Sequence, residues 1–341
     1  MVNPRSCSTP LSSAVFAQPL PSLTRAGALA SLFVAAACSS ASTPAPAPSD
    51  GAAPPPAAWM AAVGALGTFA QTFNGSTWTA RSIAQEDLYS VTCVGNLDGW
   101  ATGAAGTVAH TTDGGWDWAL QDAHTTANLR SIRFGTTTVG LLAGDAGTLA
   151  LTQDAGTTWT TVKALTASTL RGVAVASTAG VMLAVGDAGV VLRSGDAGAT
   201  WTMATIPGAG DLQGVATDAA AHLVLAVDAS GSVWSSGDGG RHFAREATAP
   251  AALAAVALAD DDSTAVAAGA MGTVLERAAG GTWAAVTTGT TAGLHAAVVA
   301  DDGRQYAGGD SGTLIVSAND GASWAAVPLG TAATLYALDD L

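Results

Sequence analysis

The stretch LYSVTCVGNLDGWATGAAGTVAHTTDGGWDWALQDA, residues 88–123, carries the pattern that decides the fold. It divides into four short segments, LYSVTCV, GWATGA, TVAHTT and DWALQDA, separated by turns rich in Gly, Asp and Asn. Short segments with a turn about every 8 to 12 residues predict antiparallel β-strands. Glycines that recur at a fixed register on both sides of the Ala-rich pieces argue against helices.

The same unit recurs seven times, and three series of residues mark it in register. An aromatic residue ends the turn of each unit, at spacings of 40 to 42 residues: Trp78, Trp118, Trp159, Trp201, Phe243, Trp283 and Trp324. A turn glycine precedes each aromatic residue: Gly67, Gly106, Gly147, Gly189, Gly231, Gly272 and Gly312. A leucine marks another strand: Leu88, Leu129, Leu170, Leu212, Leu253, Leu294 and Leu335. Repeats of about 40 to 45 residues with four strands each predict an all-β, seven-bladed β-propeller of antiparallel blades.

The two ends of the repeat region complement each other. The first unit has only three strands, near residues 59–64, 68–72 and 78–83, because no leucine strand precedes it. The chain finishes with TLYALDDL, residues 334–341, which is a leucine strand with nothing after it. We therefore expect the C-terminal strand to join the N-terminal three and to close the ring without an open edge.

We expect the leucine strand to be the innermost strand of each blade. Strands near the axis have little room on one side, and a small residue lies two positions after each leucine: Ser90, Ser131, Gly172, Gly214, Ala255, Ala296 and Ala337. The next residue of each strand is expected to pack between blades: Val91, Ile132, Val173, Val215, Val256, Ala297 and Leu338. Cys93 follows on one of these strands and is expected to be a buried apolar residue.

Residues 1–37 have the features of an export signal. Arg5 and Arg25 precede a twelve-residue apolar run, residues 26–37. This run is too short to span a bilayer, because a spanning helix needs about 20 residues. Small residues end directly before Cys38, so the segment resembles a bacterial lipoprotein signal, and this resemblance implies that Cys38 is lipidated. An ordinary secretory signal with an incidental cysteine is the alternative.

Residues 38–58 contain six prolines between positions 44 and 56 and are rich in Ala and Ser. This composition favours extended polyproline II and cannot form a packed core. The predicted organisation is a signal at 1–37, a tether at 38–58 and a propeller at 59–341. The expected location is the bacterial cell envelope, where the exported protein is anchored to a membrane as a lipoprotein.

The charge balance argues against nucleic acid as a partner. The chain has 12 Lys and Arg against 26 Asp and Glu, a formal net charge of −14, and Lys163 is its one lysine. Nucleic acid binding needs clustered basic residues, so we expect no nucleic acid partner. Anionic lipid would repel the folded body, so membrane contact is expected through the lipid anchor only. We expect the propeller to be a monomer.

The turn before the aromatic residue has a common sequence. It reads TTDGGWDW (111–118), TQDAGTTW (152–159), SGDAGATW (194–201) and SGDGGRHF (236–243), with a looser SANDGASW (317–324). It resembles the Asp-box, or bacterial neuraminidase repeat; Phe73 and Ala278 take the Asp place in the two degenerate units. The carboxylate is expected to accept backbone N–H bonds while the aromatic residue covers the hairpin. This structural role is assigned to Asp113, Asp154, Asp196, Asp238, Asn319, Trp118, Trp159, Trp201 and Trp324.

Together with DGWATG at 98–103 and the repeated G-x-x-G-T, the seven units are similar to the photosystem II assembly or stability factor-like family of Asp-box propellers. The resemblance covers about residues 59–341. It implies a non-enzymatic binding scaffold in membrane-protein assembly. Some members use arginines on one propeller face to hold a partner, and here Arg130 and Arg171 occupy equivalent positions near the leucine.

Strand parity places one set of side chains at the mouth of the central channel. The turns between the second and third strands share a face with the loops between blades, and the Asp-boxes lie on the opposite face. The residue after each leucine is expected at the mouth on the first face: Tyr89, Arg130, Arg171, Gln213, Ala254, His295 and Tyr336. Aromatic and Arg residues concentrate interface energy, so these positions predict a binding site for an unknown protein partner. The alternative is that they simply face water.

Glycan binding and glycoside hydrolysis are the alternatives to protein binding. Trp116 is an extra aromatic residue on the Asp-box face, and it makes a glycan the alternative partner. A sialidase-like glycoside hydrolase needs a tyrosine helped by a glutamate, and no tyrosine in repeat register stands beside Glu86, Glu246 or Glu276. The histidines form no H-x-x-x-H or Cys-His spacing of a metal site. We therefore predict a binding protein rather than an enzyme, with no metal and no cofactor.

Overall fold

The computed structural model describes residues 60–95, 97–163, 165–259 and 262–340. The predicted signal, the tether and Cys38 lie outside these residues, as do Trp59 and Leu341 at the two ends of the predicted propeller. No helix within the described ranges has the length and apolar character that crossing a membrane requires.

The described residues form 28 β-strands. Blade 1 begins with β1 (Met60–Gly64), β2 (Thr68–Thr72) and β3 (Trp78–Ser82), and blade 2 contains β4 (Leu88–Val94), β5 (Asp98–Gly103), β6 (Thr107–Thr111) and β7 (Ala119–Asp122). Blade 3 contains β8 (Leu129–Phe134), β9 (Gly140–Gly144), β10 (Leu149–Thr152) and β11 (Thr160–Thr161). Blade 4 contains β12 (Leu170–Ala176), β13 (Val181–Gly186), β14 (Val190–Ser194) and β15 (Thr202–Thr205).

The remaining strands complete the ring. Blade 5 contains β16 (Leu212–Thr217), β17 (Val224–Asp228), β18 (Ser232–Ser236) and β19 (Ala244–Thr248). Blade 6 contains β20 (Leu253–Leu258), β21 (Thr264–Gly269), β22 (Val274–Ala278) and β23 (Ala284–Val286). Blade 7 contains β24 (Leu294–Val299), β25 (Gln305–Gly309), β26 (Leu314–Ser317) and β27 (Ala325–Ala326), and the last strand is β28 (Leu335–Asp340). Single 3-10 turns join the second and third strands in six blades: Ala65–Gly67, Ala104–Gly106, Asp145–Gly147, Asp187–Gly189, Ala270–Gly272 and Asp310–Gly312.

Seven separate four-stranded sheets are present, and β28 belongs to the first of them. It pairs antiparallel with β1, with Leu338 opposite Ala62 and Ala337 opposite Val63. The first sheet therefore has the order β28-β1-β2-β3, with its innermost strand supplied by the other end of the chain. The predictions of seven blades and of closure by the C-terminal strand are confirmed.

The leucine strands contact one another in a ring around the axis, as predicted for innermost strands. Their leucines are almost completely buried, and the core is divided into clusters that lie between neighbouring blades. Between blades 2 and 3, Trp100 stacks on Phe134 with ring centroids 3.7 Å apart, and Ile132 packs in the same cluster. Fully burying an apolar side chain contributes about 1.5–3 kcal/mol, so the blades are held together mainly by these shared clusters.

Two small residues of the innermost strands also make hydrogen bonds that the sequence did not predict. The Ile132 N–H donates to Ser90 Oγ at 3.1 Å, and the Val173 N–H donates to Ser131 Oγ at 3.1 Å. An innermost strand is a sheet edge, so its inward N–H groups have no strand partner. The two serine hydroxyls accept these N–H groups and link blade 2 to blade 3 and blade 3 to blade 4.

The G-x-x-G repeat has a steric cause, shown by Gly103 and Gly106. A Cβ at Gly103 would lie 2.0 Å from the carbonyl oxygen of Asp87, and a Cβ at Gly106 would lie 1.9 Å from that of Thr125. Gly106 also has a φ of +76°, which residues with a side chain rarely adopt. Gly103 therefore lets the turn pack against the loop that enters the inner strand of its own blade, and Gly106 lets it pack against the loop that enters the next inner strand.

The carboxylates of the Asp-boxes accept hydrogen bonds across their turns. Asp196 Oδ1 accepts the Thr200 N–H at 2.8 Å and the Ser194 hydroxyl at 2.7 Å, and its other oxygen accepts the Thr200 hydroxyl at 2.6 Å. The Trp201 indole N–H donates to the Gly198 carbonyl at 3.0 Å, so the ring covers the turn. Asp113, Asp154 and Asp238 accept equivalent bonds, and Asn319 replaces them in blade 7 by accepting the Ser323 N–H at 3.0 Å.

Blades 1 and 6 differ from the alignment made on the sequence. In blade 1 the residue in the Asp place is Asn74, not Phe73, because the turn is one residue shorter; Asn74 Oδ1 accepts the Thr77 N–H at 2.8 Å. In blade 6, Ala278 is the last residue of β22 and its carbonyl accepts the Gly281 N–H at 2.9 Å in a still shorter turn. Counting back from the tryptophan assumes turns of equal length, so it misplaces the Asp position in these two shorter turns.

Candidate functional site at the channel mouth

The candidate site is the ring formed by the residue after each leucine, here called the mouth ring: Tyr89, Arg130, Arg171, Gln213, Ala254, His295 and Tyr336. In every blade the pairing register of the two innermost strands shifts across this residue, as between Leu129 and Ser131 or between Leu170 and Gly172. Each mouth residue is therefore the extra residue of a β-bulge. Bulges re-aim a side chain, and this one recurs at the same end of all seven inner strands. The sequence did not predict it.

Arg130 is held in place by Asp145 from the turn of its own blade. Its Nε donates to Asp145 Oδ1 at 2.8 Å and its Nη2 donates to Asp145 Oδ2 at 3.0 Å, a bidentate pair. The Asn128 amide donates to the same carboxylate at 2.8 Å. The hydrogen bond from Arg130 holds the pKa of Asp145 below its ordinary value, and the same bond raises the pKa of Arg130.

Two more mouth residues are paired in the same way. Arg171 Nε donates to Asp187 Oδ1 at 2.6 Å, and His295 Nε2 lies 2.8 Å from Asp310 Oδ1. Asp145, Asp187 and Asp310 each begin the turn between the second and third strands of their blade. The structure shows that each also holds a mouth side chain. Asp228 is different: it is buried and accepts bonds from Ser230, Ser232 and the indole N–H of Trp234.

Aromatic rings form one continuous corner of the ring. Tyr89 and Tyr336 meet edge to face with centroids 5.6 Å apart, and His295 lies 6.1 Å from Tyr336. The Arg130 guanidinium lies 4.8 Å from the centroid of Tyr89, within the range of cation–π attraction. The contacts therefore join blades 7, 1, 2 and 3, and all of these side chains are partly exposed.

In blades 5 and 6, the mouth residues offer fewer groups for contact with a partner. The Gln213 side-chain amide donates to the carbonyl of Asp211 at 3.1 Å, so it bonds locally. Ala254 presents only a methyl group. The structure thus places all seven predicted residues at equivalent positions but brings only the aromatic residues and Arg130 into direct contact.

A second polar cluster lies deeper along the inner strands and was not predicted. Arg133 on β8 and Asp339 on β28 form an ion pair across the inner strand β4, and the Cys93 N–H donates to Asp339 Oδ2 at 2.7 Å. The charge of Asp339 raises the pKa of Arg133, while burial raises the pKa of the Cys93 thiol. Cys93 is buried as expected. The two charged partners are 206 residues apart in sequence, and no local pattern relates them.

Trp116 lies on the Asp-box face, opposite the mouth. Its ring is 44% exposed and stacks on Phe73 with centroids 6.1 Å apart and an interplanar angle of 18°. The equivalent position of the other boxes is Thr157, Ala199, Arg241 or Ala322, so the turn does not require an aromatic residue there. Across the described residues, no three His, Cys, Asp or Glu side chains are grouped as metal ligands would be.

Comparison with solved structures finds the same fold in several proteins. A structure of YCF48 bound to D1 peptide matches with a TM-score of 0.61 and 18% identity, over 78% of this chain and 93% of that one. YCF48 from Cyanidioschyzon merolae matches with a TM-score of 0.58 and 16% identity, over 73% and 87%. An ancestral GH74 enzyme matches with a TM-score of 0.57 and 13% identity, over 74% of this chain but only 38% of the enzyme. At these identities the likeness concerns the fold alone.

A search of curated proteins finds no match. The model of the family described as photosynthesis system II assembly factor YCF48 matches residues 116–288, just over half of the chain. The match runs from the Asp-box of blade 2 into blade 6. Seven four-stranded blades, repeated Asp-boxes and this match agree, and the chain belongs to the YCF48 family of photosynthesis system II assembly factors.

Proposed function

We propose that this propeller is a non-enzymatic scaffold that binds a protein partner at the mouth ring. The observation that carries the proposal is the recurring bulge, which occurs at one partly exposed residue in the same register of every inner strand. Five of the seven side chains are Tyr, Arg or His, and Tyr and Arg are enriched among residues that dominate binding energy. Carboxylates of the neighbouring turns hold three of these side chains in fixed positions, which lowers the entropy lost on binding.

The relatives support a role of this kind. The family is described as an assembly factor, and one YCF48 structure of the same fold was solved with a D1 peptide bound. We propose that the present chain likewise binds a segment of a protein rather than a small molecule.

The proposed setting is the bacterial cell envelope. We propose that Cys38 is lipidated and that residues 38–58 tether the propeller to a membrane, as the lipoprotein-like signal indicates. Metabolic labelling with an alkyne fatty acid should label the wild-type protein and not Cys38→Ser. Equal labelling of both proteins would refute the anchor without affecting the mouth proposal.

Crosslinking in intact cells tests the mouth ring directly. The triple variant Arg130→Ala/Arg171→Ala/Tyr336→Ala removes three mouth side chains, and Trp116→Ala is the matched control on the opposite face. We expect the triple variant to lose the proteins that wild type captures and the control to keep them. If wild type and triple variant capture the same proteins equally, the mouth ring is not the binding site.

A carbohydrate ligand is the second candidate, and Trp116 is the observation that favours it. Exposed aromatic rings provide flat apolar faces. On a glycan array, we would expect binding by wild type and its loss in Trp116→Ala; an array without signal would remove this candidate. The likeness to a GH74 enzyme is tested by fluorogenic glycoside turnover, which we expect to be absent.

A further inference from the structure

The aromatic corner of the mouth ring has the elements of a site for a positively charged group. The Tyr336 ring contacts both Tyr89 and His295, with ring centroids 5.6 and 6.1 Å apart respectively. The face of an aromatic ring attracts cations, and Arg130 already uses the Tyr89 ring in this way at 4.8 Å. The corner therefore contains a second tyrosine ring, that of Tyr336, which no arginine covers among the described residues.

Two carboxylates act on this corner. Burial raises the pKa of Tyr336, and the charges of Asp87, Tyr89 and Asp310 raise it further. Asp87 Oδ1 accepts the Leu66 N–H at 2.8 Å, which fixes that carboxylate between blades 1 and 2. Asp310 is fixed in blade 7 by its contact with His295. The aromatic corner is thus flanked by acidic groups on both sides.

The cations of the mouth ring are already neutralised. Arg130 and Arg171 are each paired with an aspartate of their own blade. Asp87, Asp145, Asp187, Asp211 and Asp310 surround the ring, so five carboxylates oppose two arginines and the net charge is −3 with His295 neutral. An anionic partner would meet this negative charge, and Arg130 already donates two of its N–H groups to Asp145 while Arg171 donates one to Asp187.

We propose that the mouth ring binds a basic peptide segment, with an arginine or lysine side chain placed against Tyr336 between Asp87 and Asp310. This inference rests on the proposed function and names the chemical class of the partner. The aromatic faces supply cation–π attraction, and the two carboxylates supply complementary charge. The net charge of −14 on the whole chain steers such a partner towards the protein at low ionic strength.

Fluorescence anisotropy with three labelled nine-residue peptides tests the inference. One peptide alternates glycine with arginine, the second has glutamate and the third has glutamine in place of arginine. We expect the arginine peptide to bind and the other two to bind at least about tenfold more weakly, a difference of about 1.4 kcal/mol. The affinity for the arginine peptide should fall as NaCl is added, because salt screens the carboxylates.

Variants distinguish peptide binding at the aromatic corner from nonspecific attraction to the acidic surface of the protein. Tyr336→Leu should weaken binding of the arginine peptide about tenfold, whereas Tyr336→Phe keeps the ring and should stay within about threefold of wild type. Asp87→Asn/Asp310→Asn should weaken it as well. Asp117→Asn/Asp320→Asn removes the same charge from the opposite face and is the matched control, expected to bind like wild type.

The outcomes distinguish this inference from the proposed function. If the glutamate or glutamine peptide binds as tightly as the arginine peptide and Tyr336→Leu weakens it, the mouth ring binds peptides but the inference about charge is wrong. If no peptide binds, or if Tyr336→Leu and the control variant behave like wild type towards the arginine peptide, the inference is overturned. The crosslinking comparison then still decides the proposed function independently.

Discussion

At the scale of single residues, the Asp-box aspartates act as acceptors that organise a turn. The Asp196 carboxylate accepts hydrogen bonds from two hydroxyl groups and one backbone N–H group. These bonds lower its pKa from 3.8 to about 2, with the Thr200 hydroxyl as the largest cause. Because the residue is a turn former, its loss should affect stability and leave partner binding at the other face unchanged.

We predict that Asp196→Ala lowers the urea midpoint of unfolding, since the donors of the turn lose their common acceptor. Asp196→Asn should lower it by less than half as much, because Asn319 accepts the equivalent bonds in blade 7. Urea denaturation of both variants measures the difference. Equal losses for the two substitutions would show that the charge of Asp196, not its acceptor geometry, stabilises the turn.

At the scale of elements, three of the seven inner strands are connected by more than apolar contacts. The Ser90 and Ser131 hydroxyls each accept an N–H group of the next inner strand, so hydrogen bonds join β4 to β8 and β8 to β12. Gly172 occupies the equivalent position on β12 and has no hydroxyl to offer to Val215 on β16. The chain thus contains an internal comparison between a bridged and an unbridged pair of strands.

We predict that Ser131→Ala speeds hydrogen exchange of the Val173 amide and lowers the free energy of unfolding by about 1–3 kcal/mol, the cost of leaving a buried donor unpaired. Exchange at Val215 should not change, since its neighbour is already a glycine. Site-resolved exchange by NMR provides the measurement. An unchanged rate at Val173 would mean that its N–H group finds water in place of the serine.

At the scale of the whole molecule, β28 joins the two ends of the chain. It supplies the inner strand of blade 1 and it carries Asp339, which pairs with Arg133 in blade 3. Leu335 is fully buried and Leu338 is 7% exposed in the cluster between blades 7 and 1. The strand therefore stabilises three blades at once.

Deletion of residues 334–341 should destabilise the entire ring, because it exposes the edge of β1 and leaves Arg133 without its partner. We expect a melting temperature more than about 10 °C lower, or loss of cooperative melting, since losing two buried leucines alone costs several kcal/mol. Differential scanning calorimetry is the measurement. A truncated protein that melts like the full chain would refute closure by β28.

Asp340 should make stability depend on pH near neutrality. Burial and the neighbouring Asp339 raise the pKa of Asp340 from 3.8 to about 7. A carboxyl whose pKa is raised in the folded state stabilises the fold when protonated, so its contribution is complete below about pH 3.8 and is lost as pH rises through about 7. We predict a lower melting temperature at pH 8 than at pH 5, and a smaller difference in Asp340→Asn. The same difference in both proteins would assign the effect to another group.

The sequence by itself determined the features that repeat. The number of blades, the order of strands, closure by the last strand and the Asp-box turns all follow from markers spaced 39 to 42 residues apart. Every repeat has the same steric and hydrogen-bonding requirements. A residue that recurs at the same position of several repeats therefore indicates the same local structure in each of them. The seven positions of the mouth ring followed from the same register.

Only the tertiary structure decided what those positions do together. The bulge that aims each mouth residue, the pairing of Arg130 with Asp145 and the contact of Tyr89 with Tyr336 depend on distances between side chains from different turns and blades. Arg133 and Asp339 meet although 206 residues separate them, and Asn74 takes the Asp place because its turn is one residue shorter. A periodic sequence states which positions are equivalent, whereas contacts between unlike residues at those positions arise from packing the blades around one axis.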